Sequence, residues 1–402
     1  MSQGKGRVYV IGTCDTKGDE LKFACDCLAA VGVEVALVDV STATPVKYAD
    51  VPATEVAACH PEGASAVLGQ KDRGQAVSAM GVALKRYLLE QQDVSGVLGM
   101  GGSGNTAIVT AAMRALPIGV PKVMVSTLAS GNVAGFVGPS DIIMMPAVVD
   151  VAGLNAISRT IISNAAHAVA GMVLHRLDAS STGGNAVGMT MFGVTTICVT
   201  EIRKRLEPAH ECFVFHATGT GGQSFEKLAD SGFFKGVFDI TTTEVADFLF
   251  GGILPCTEDR FGAFIRNAIP YVGSVGAVDM INFGAMDTVP AKFSGRKRLA
   301  HNEHVTLVRT TADENRKTGE FIVSRLNQMK GPVRFLLPLK GVSALDAEGQ
   351  PFHDPAADEA LFDAIRKGWQ TSRSRKLLEV DSHINDVLFA EAALKVFNEI
   401  TE

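Results

Sequence analysis

The chain has no apolar stretch approaching the ~20 residues needed to span a bilayer, because Gly, Thr, Asp or Pro interrupts every long hydrophobic run. It also has little aromatic character, with one Trp and four Tyr among 402 residues, and only one dense basic run, Arg296-Lys-Arg298, short enough for a solvated loop. A net charge of -6 leaves no cluster of Lys and Arg on which a nucleic-acid backbone would be neutralised. Neither a membrane nor a nucleic acid is therefore expected as a partner. The seven cysteines, at positions 14, 25, 27, 59, 198, 212 and 256, form neither a C-x-x-C pair nor a zinc spacing. The first residues show no charged leader followed by an apolar core and a cleavage site. Both features point to a reduced, cytoplasmic setting.

What the sequence does have is a well-packed composition, 47% hydrophobic and 20% charged, over a length that suits two domains. Strand-like and helix-like segments alternate, which predicts parallel βαβ units. Strands are expected at 7–12, 33–40, 97–101, 122–126 and 141–146, and helices at 19–31, 74–91 and 153–177. The small polar and glycine residues of Asp178-Ala-Ser-Ser-Thr-Gly-Gly-Asn185 read as a linker, giving domains at 1–180 and 185–402. In the second half, strands are expected at 186–192, 211–216, 237–241, 271–280, 305–310, 333–338 and 375–380, interleaved with helices. The fold class is thus α/β, two domains with mostly parallel sheets and a ligand cleft between them.

Ligands of an open parallel sheet bind outside the carboxyl ends of its strands, so the loops that follow strands carry the chemistry. The most informative is Val97-Leu-Gly-Met-Gly-Gly-Ser-Gly-Asn-Thr106. Its Gly101, Gly102, Ser103, Gly104 and Asn105 turn the chain from a strand into a helix whose first amides point outward at any anion placed there. No lysine follows where a Walker A loop needs one. After the first strand, Thr13 and Thr16 can donate to phosphate oxygens, Lys17 can neutralise a phosphate, and Asp15 can cap the next helix or hold a metal. Asp39 ends the second strand, where an acid can accept from a ribose hydroxyl or simply lie in a surface loop. Thr127, Ser130, Gly131 and Asn132 form a third small, polar loop on the same sheet edge.

The second half offers Thr218, Gly219, Gly221 and Gly222 after a strand, a loop that echoes the double glycine of the first half. His216 and Glu244 are the candidates there for proton transfer, against structural roles as a hydrogen-bonded His and a helix-terminal acid. His301-Asn-Glu-His304 lacks the third ligand that a zinc site needs, so the identity of any metal stays open. Cys14 has no base near it in sequence and is read as packing.

The strings Gly12-Thr-Cys-Asp-Thr-Lys17, Gly99-Met-Gly-Gly-Ser-Gly-Asn105, Ser126-Thr-Leu-Ala-Ser-Gly-Asn132, Phe215-His-Ala-Thr-Gly-Thr-Gly-Gly222 and Pro338-Leu-Lys-Gly-Val-Ser-Ala-Leu-Asp346 resemble, in the same order and over essentially the whole chain, a poorly characterised family of ATP-binding domains. Its plant member confers resistance to tomato mosaic virus by inhibiting viral RNA replication, and stand-alone members of this length are bacterial or fungal. The resemblance implies two Rossmann-like halves, ATP as ligand with magnesium, and a homodimer. Three functions stay open: an ATP-binding protein whose nucleotide sits on the glycine loops of the first domain; a metabolic enzyme acting on a small phosphorylated or carboxylated substrate; and a nucleotide-regulated interaction module.

Overall fold

The computed structural model describes residues 6–43, 46–177 and 185–401. The chain divides into two compact units, Met1–Asp178 and Ala179–Glu402. The expected linker falls largely on 178–184, outside the described residues. Among the described residues no helix is long and apolar enough to cross a membrane.

In the first unit the order of elements is β1 (Arg7–Gly12), α1 (Cys14–Ala30), β2 (Val35–Asp39), α2 (Ala53–Ala58), α3 (Ser65–Leu68), α4 (Arg73–Glu90), β3 (Val94–Gly101), α5 (Ser103–Met113), β4 (Lys122–Ser126), α6 (Ala134–Val137), β5 (Ile143–Pro146) and α7 (Ala156–Leu174). The strands lie in the order β2-β1-β3-β4-β5 and every pairing is parallel. Alternation along β1 shows why both faces are covered: Tyr9 and Ile11 join Met80, Leu84 and Ile108 on one side, while Val8 and Val10 join Leu21, Ala24 and Val169 on the other. Each such aliphatic side chain, fully removed from water, contributes about 1.5–3 kcal/mol before entropy is counted.

The second unit runs β6 (Ala186–Met191), α8 (Thr196–Leu206), β7 (Glu211–His216), α9 (Thr220–Asp230), β8 (Gly236–Thr241), α10 (Glu244–Phe250), α11 (Gly262–Arg266), β9 (Tyr271–Gly276), β10 (Met280–Phe283), β11 (Arg298–Asn302), β12 (Val305–Arg309), α12 (Ala312–Leu326), β13 (Val333–Pro338), α13 (Pro355–Gly368), β14 (Arg375–Val380) and α14 (Val387–Thr401). Its main sheet, β14-β13-β9-β8-β6-β7, is parallel throughout, and β10-β12-β11 form a separate antiparallel sheet. Counted within the unit, the main sheet begins second-first-third-fourth, the same order as in the first unit. Both units are doubly wound and Rossmann-like, with the switch in strand order between their first and third strands. The two double-glycine loops, however, follow non-equivalent strands: the third in one unit and the second in the other. The expected echo therefore belongs to the strand order and not to those loops.

The segment expected as one strand over 271–280 is two, broken at Ala277, which takes a left-handed φ of 60°. His301 and His304 lie on the exposed β11–β12 hairpin, and among the described residues no cluster of His, Cys, Asp or Glu is arranged to hold a metal. All seven cysteines are free thiols, and burial raises the Cys14 thiol, which makes it unreactive packing.

Burial of charge distinguishes the second unit. Arg260 donates to Glu244 at 2.6 Å, Glu226 at 2.9 Å and Asp239 at 2.8 Å, all inside the core, and the Tyr271 hydroxyl donates to the other Asp239 oxygen at 2.9 Å. Arg309 similarly donates to Asp346 at 3.1 Å and Asp358 at 2.7 Å, beside buried Asp279. Burial pushes the Glu226, Glu244, Asp279, Asp346 and Asp358 carboxyls upward, with the neighbouring arginine opposing the shift in every case.

Asp247, the first α10 acid after Glu244, accepts from the amides of Leu254 and Asn282, yet burial still pushes it up to about 7. A carboxyl whose folded value lies above its unfolded value near 4 binds its proton more tightly when folded, so stability falls as pH rises between the two values. The gap in unfolding free energy between wild type and Asp247→Asn should change by a few kcal/mol between about pH 4 and about pH 7, moving against the wild type as pH rises, and be flat above. Urea titrations across that range check it; parallel profiles would refute the assignment.

Candidate functional site

β3 ends at Gly101, whose φ of +148° suits glycine, and a Cβ there would stand 2.9 Å from the Cβ of Asn105. That tight turn starts α5 at once. No side chain caps the helix, and the first amide bonded inside it is that of Thr106, which donates to the Gly102 carbonyl at 2.9 Å. Among the described residues nothing accepts from the amides of Ser103, Gly104 and Asn105. Three N–H groups at the positive end of an eleven-residue helix thus face outward together. The Asn105 side chain donates to the Met100 carbonyl, while its own Oδ1 is buried and without a partner, in a residue only 6% exposed. The Thr106 hydroxyl, 2.7 Å from that of Ser126, ties the helix start to the end of β4.

These groups line a cleft of about 660 Å³ at the switch point between β1 and β3, within the range of small-molecule sites. Thr13, Asp15, Thr16 and Lys17 enter it from the turn after β1 and the start of α1, and Gly102, Ser103, Gly104 and Asn105 from the turn after β3 and the start of α5. Thr42 and Ala43 come from the loop after β2, and Gln70, Lys71 and Arg73 from the junction of α3 and α4. Val40, Ala76, Val77 and Ile108 supply apolar floor, and Asp150 a second acid. Lys17, Lys71 and Arg73 form no ion pair among the described residues.

Asp39 lies beneath this cleft instead of in it. It is fully buried, and its oxygens accept from the Cys14 amide at 3.0 Å, the Ser41 amide at 2.9 Å, the Ser41 hydroxyl at 2.5 Å and the Val46 amide at 3.3 Å. A ribose contact is thereby corrected to an internal clasp between the loops after β1 and β2. The same clasp occupies the start of α1: the Asp15 amide donates to the Ser41 hydroxyl, and the amides of Thr16 and Lys17 donate to the Thr13 carbonyl. Asp15 does not cap α1, whose first amides are taken by Asp39, Ser41 and the Thr13 carbonyl.

Thr127, Ser130, Gly131 and Asn132 follow β4 on the same sheet edge but do not line the cleft. Asn132 instead accepts from the Ala134 amide at 3.1 Å and the Gly131 amide donates to the Leu128 carbonyl, while the Thr127 amide ties the start of this loop to the Gly101 carbonyl at 3.3 Å. Thr218, Gly219, Gly221 and Gly222 lie in the second unit after β7. There the Gly219 amide donates to Glu244 at 2.8 Å, and a Cβ at Gly222 would stand 2.0 Å from the Glu244 carboxylate. These glycines make room for a buried acid. Glu244, wholly buried and bound to Arg260, is corrected from a proton carrier to a structural group. His216 is exposed, packs at a tilt against Phe192 with ring centroids 5.2 Å apart, and has its protonation disfavoured by partial desolvation.

Gln70, Lys71 and Arg73 were not legible as site residues. They flank Asp72, which caps α4 by accepting from the Gln75 amide at 2.8 Å, and only the crossover from β2 to β3 brings them over the sheet. The one sequence signal is the pair of cations around a helix cap. Gly99, Gly101 and Gly104 stand at G-x-G-x-x-G spacing, but on the third strand of the unit, and the next strand ends in Ser126 where a dinucleotide site needs an acid. Gly99 has a packing reason, since a Cβ would stand 2.6 Å from Val109 and 2.7 Å from Met124. A larger groove, about 1140 Å³, runs between α12 and α13, but it is lined by helix flanks and holds no strand-end loop.

Two family models match the chain, the N-terminal domain of uncharacterised protein family UPF0261 over residues 6–178 and its C-terminal domain over 184–401. A UPF0261 protein of Rhizobium meliloti is 56% identical over 98% of this chain and 99% of its own length. One from Clostridium tetani is 41% identical over 97% of each. The ToMV resistance protein Tm-1 of Solanum lycopersicum is 43% identical over 98% of this chain, which spans 56% of that protein.

The two adjacent glycines of the β3–α5 turn separate cleanly by substitution. Gly101→Ala should destabilise the protein by about 1–3 kcal/mol, from the strained φ and the contact with Asn105. Gly102→Ala, with ordinary φ and ψ of -82° and -165° and no neighbour nearer than 3.9 Å to its Cβ, should stay within about 0.5 kcal/mol of wild type. Denaturant titration of both variants reads the difference, and equal losses would refute these roles.

Proposed function

We propose a function for this chain, which belongs to the uncharacterised protein family UPF0261: its first unit binds ATP in the β1/β3 cleft, with the phosphates on the start of α5. The observation that carries the reading is the set of three unclaimed amides at Ser103, Gly104 and Asn105, set in one cleft with Lys17, Lys71 and Arg73, which form no ion pair among the described residues. Anions are favoured there by the helix dipole and by donors that have no other acceptor.

The donor set suits a nucleotide. Lys17, Lys71 and Arg73 add charge complementary to a polyphosphate, Thr13 and Thr16 add hydroxyl donors, and Val40, Ala76, Val77 and Ile108 offer apolar surface to a base. Asp15 and Asp150 are hard oxygen donors in the same cleft and would hold the magnesium that accompanies ATP, neutralising phosphate charge. The strand order supports the placement, because ligands of doubly wound sheets sit at the switch point. The loop after β4 and the β7 loop of the second unit have no part in this reading.

The reading concerns binding. With Glu244 held by Arg260 and the Gly219 amide, the residues considered for proton transfer supply no observation that favours turnover.

Isothermal calorimetry should show saturable ATP binding by wild type that is weakened at least about tenfold in Gly102→Val, since the added side chain stands at the helix start without straining the backbone. Circular dichroism melts of the two proteins should coincide. ATP affinity unchanged in a folded Gly102→Val protein would overturn the placement.

A further inference from the structure

We propose that Lys71 and Arg73 make the cleft select its nucleotide by phosphate number, so that nucleoside triphosphates are preferred over monophosphates through the α3–α4 junction and not through the glycine loop. The inference rests on the β1/β3 cleft being the nucleotide site.

One phosphoryl group presents three outer oxygens, and the start of α5 presents three unclaimed amides, so this seat is filled by a single phosphoryl. It treats the terminal group of any nucleotide alike. Discrimination between one phosphate and three must come from charge that meets the rest of the chain. Among the side chains lining the cleft, Lys17, Lys71 and Arg73 are cationic and Asp15 and Asp150 anionic, a net charge of +1. Lys17 lines the cleft from the first turn of α1, the helix that follows the strand next to β3. Lys71 and Arg73 come from the junction of α3 and α4, with Arg73 opening α4, and both are exposed and make no ion pair among the described residues. Removing them inverts the net side-chain charge of the cleft to -1.

Coulomb energy scales with the charge of the ligand, about -4 for ATP and about -2 for AMP near neutral pH without magnesium. Inversion of the cleft charge must therefore weaken ATP far more than AMP. The capping bond from Asp72 to the Gln75 amide lies between the two cations and uses neither, so the double substitution leaves the entry to α4 intact.

The test measures ATP and AMP affinities by calorimetry in EDTA at low ionic strength, for wild type, the Lys71→Ala/Arg73→Ala double variant and, as a control on α4 outside the cleft, Lys85→Ala. Wild type and the control should prefer ATP by at least about tenfold, and the double variant should prefer it by less than about threefold. A double variant that folds, melts like wild type and keeps the full preference overturns this inference while leaving the ATP site in place. Absence of ATP binding to wild type overturns the site reading itself. A wild type that binds ATP and AMP equally also overturns the inference, because no selection by phosphate number then exists.

Discussion

The buried carboxylate of Asp39 is the constraint on which the first unit's cleft depends. Placed by β2 at the carboxyl edge of the sheet, it gathers four donors from residues 14, 41 and 46 and so fixes two loops that would otherwise be independent. A fully buried acid is costly unless its oxygens are satisfied, and here every donor comes from the loops that it aligns. The consequence reaches the next strand. With the start of α1 occupied by Asp39, Ser41 and the Thr13 carbonyl, the helix end that remains open in the cleft is that of α5.

Most of the fold was legible because period and punctuation agree. β1, β4, β7, β13 and β14 occupy the segments expected for them, each an apolar or alternating run ended by a turn residue. What escaped is explained by the same signals failing. β9 and β10 lie in one largely apolar stretch, buried from Tyr271 to Phe283, and nothing about Ala277 announces its left-handed backbone. α10 opens with buried residues on all sides, from Glu244 to Asp247, so it shows no amphipathic stripe. β11, with a largely exposed pattern, lacks the apolar alternation that marks a strand.

The site was legible in part, and the division follows the range of the interactions. Loops that follow strands can be found from the sequence, and those after β1 and β3 meet because their strands are neighbours. Which charged groups face a ligand and which face the core is decided by partners far along the chain. Glu244 acquires its structural role from Arg260, sixteen residues on, and from the amide of Gly219. Lys71 and Arg73 acquire their place only because the crossover through α2 and α3 returns over the sheet before α4 begins.

Glycine clusters in the two units then illustrate how one sequence signal serves opposite ends. At Gly222 a side chain is forbidden by the Glu244 carboxylate, at Gly221 by the His216 carbonyl, and at Gly219 by the Pro255 carbonyl. Every absent Cβ there is filled by protein. In the β3–α5 turn Gly101 is likewise required by φ and by Asn105, but Gly102 is not: its backbone is ordinary and its missing Cβ would meet only the Thr127 hydroxyl, at an unstrained 3.9 Å. A glycine that neither conformation nor packing demands, standing at a helix start with three unclaimed amides, is what the proposed phosphate seat requires. By that criterion the two glycine loops, alike in sequence, part: the one after β7 encloses an acid, and the one after β3 keeps a surface clear.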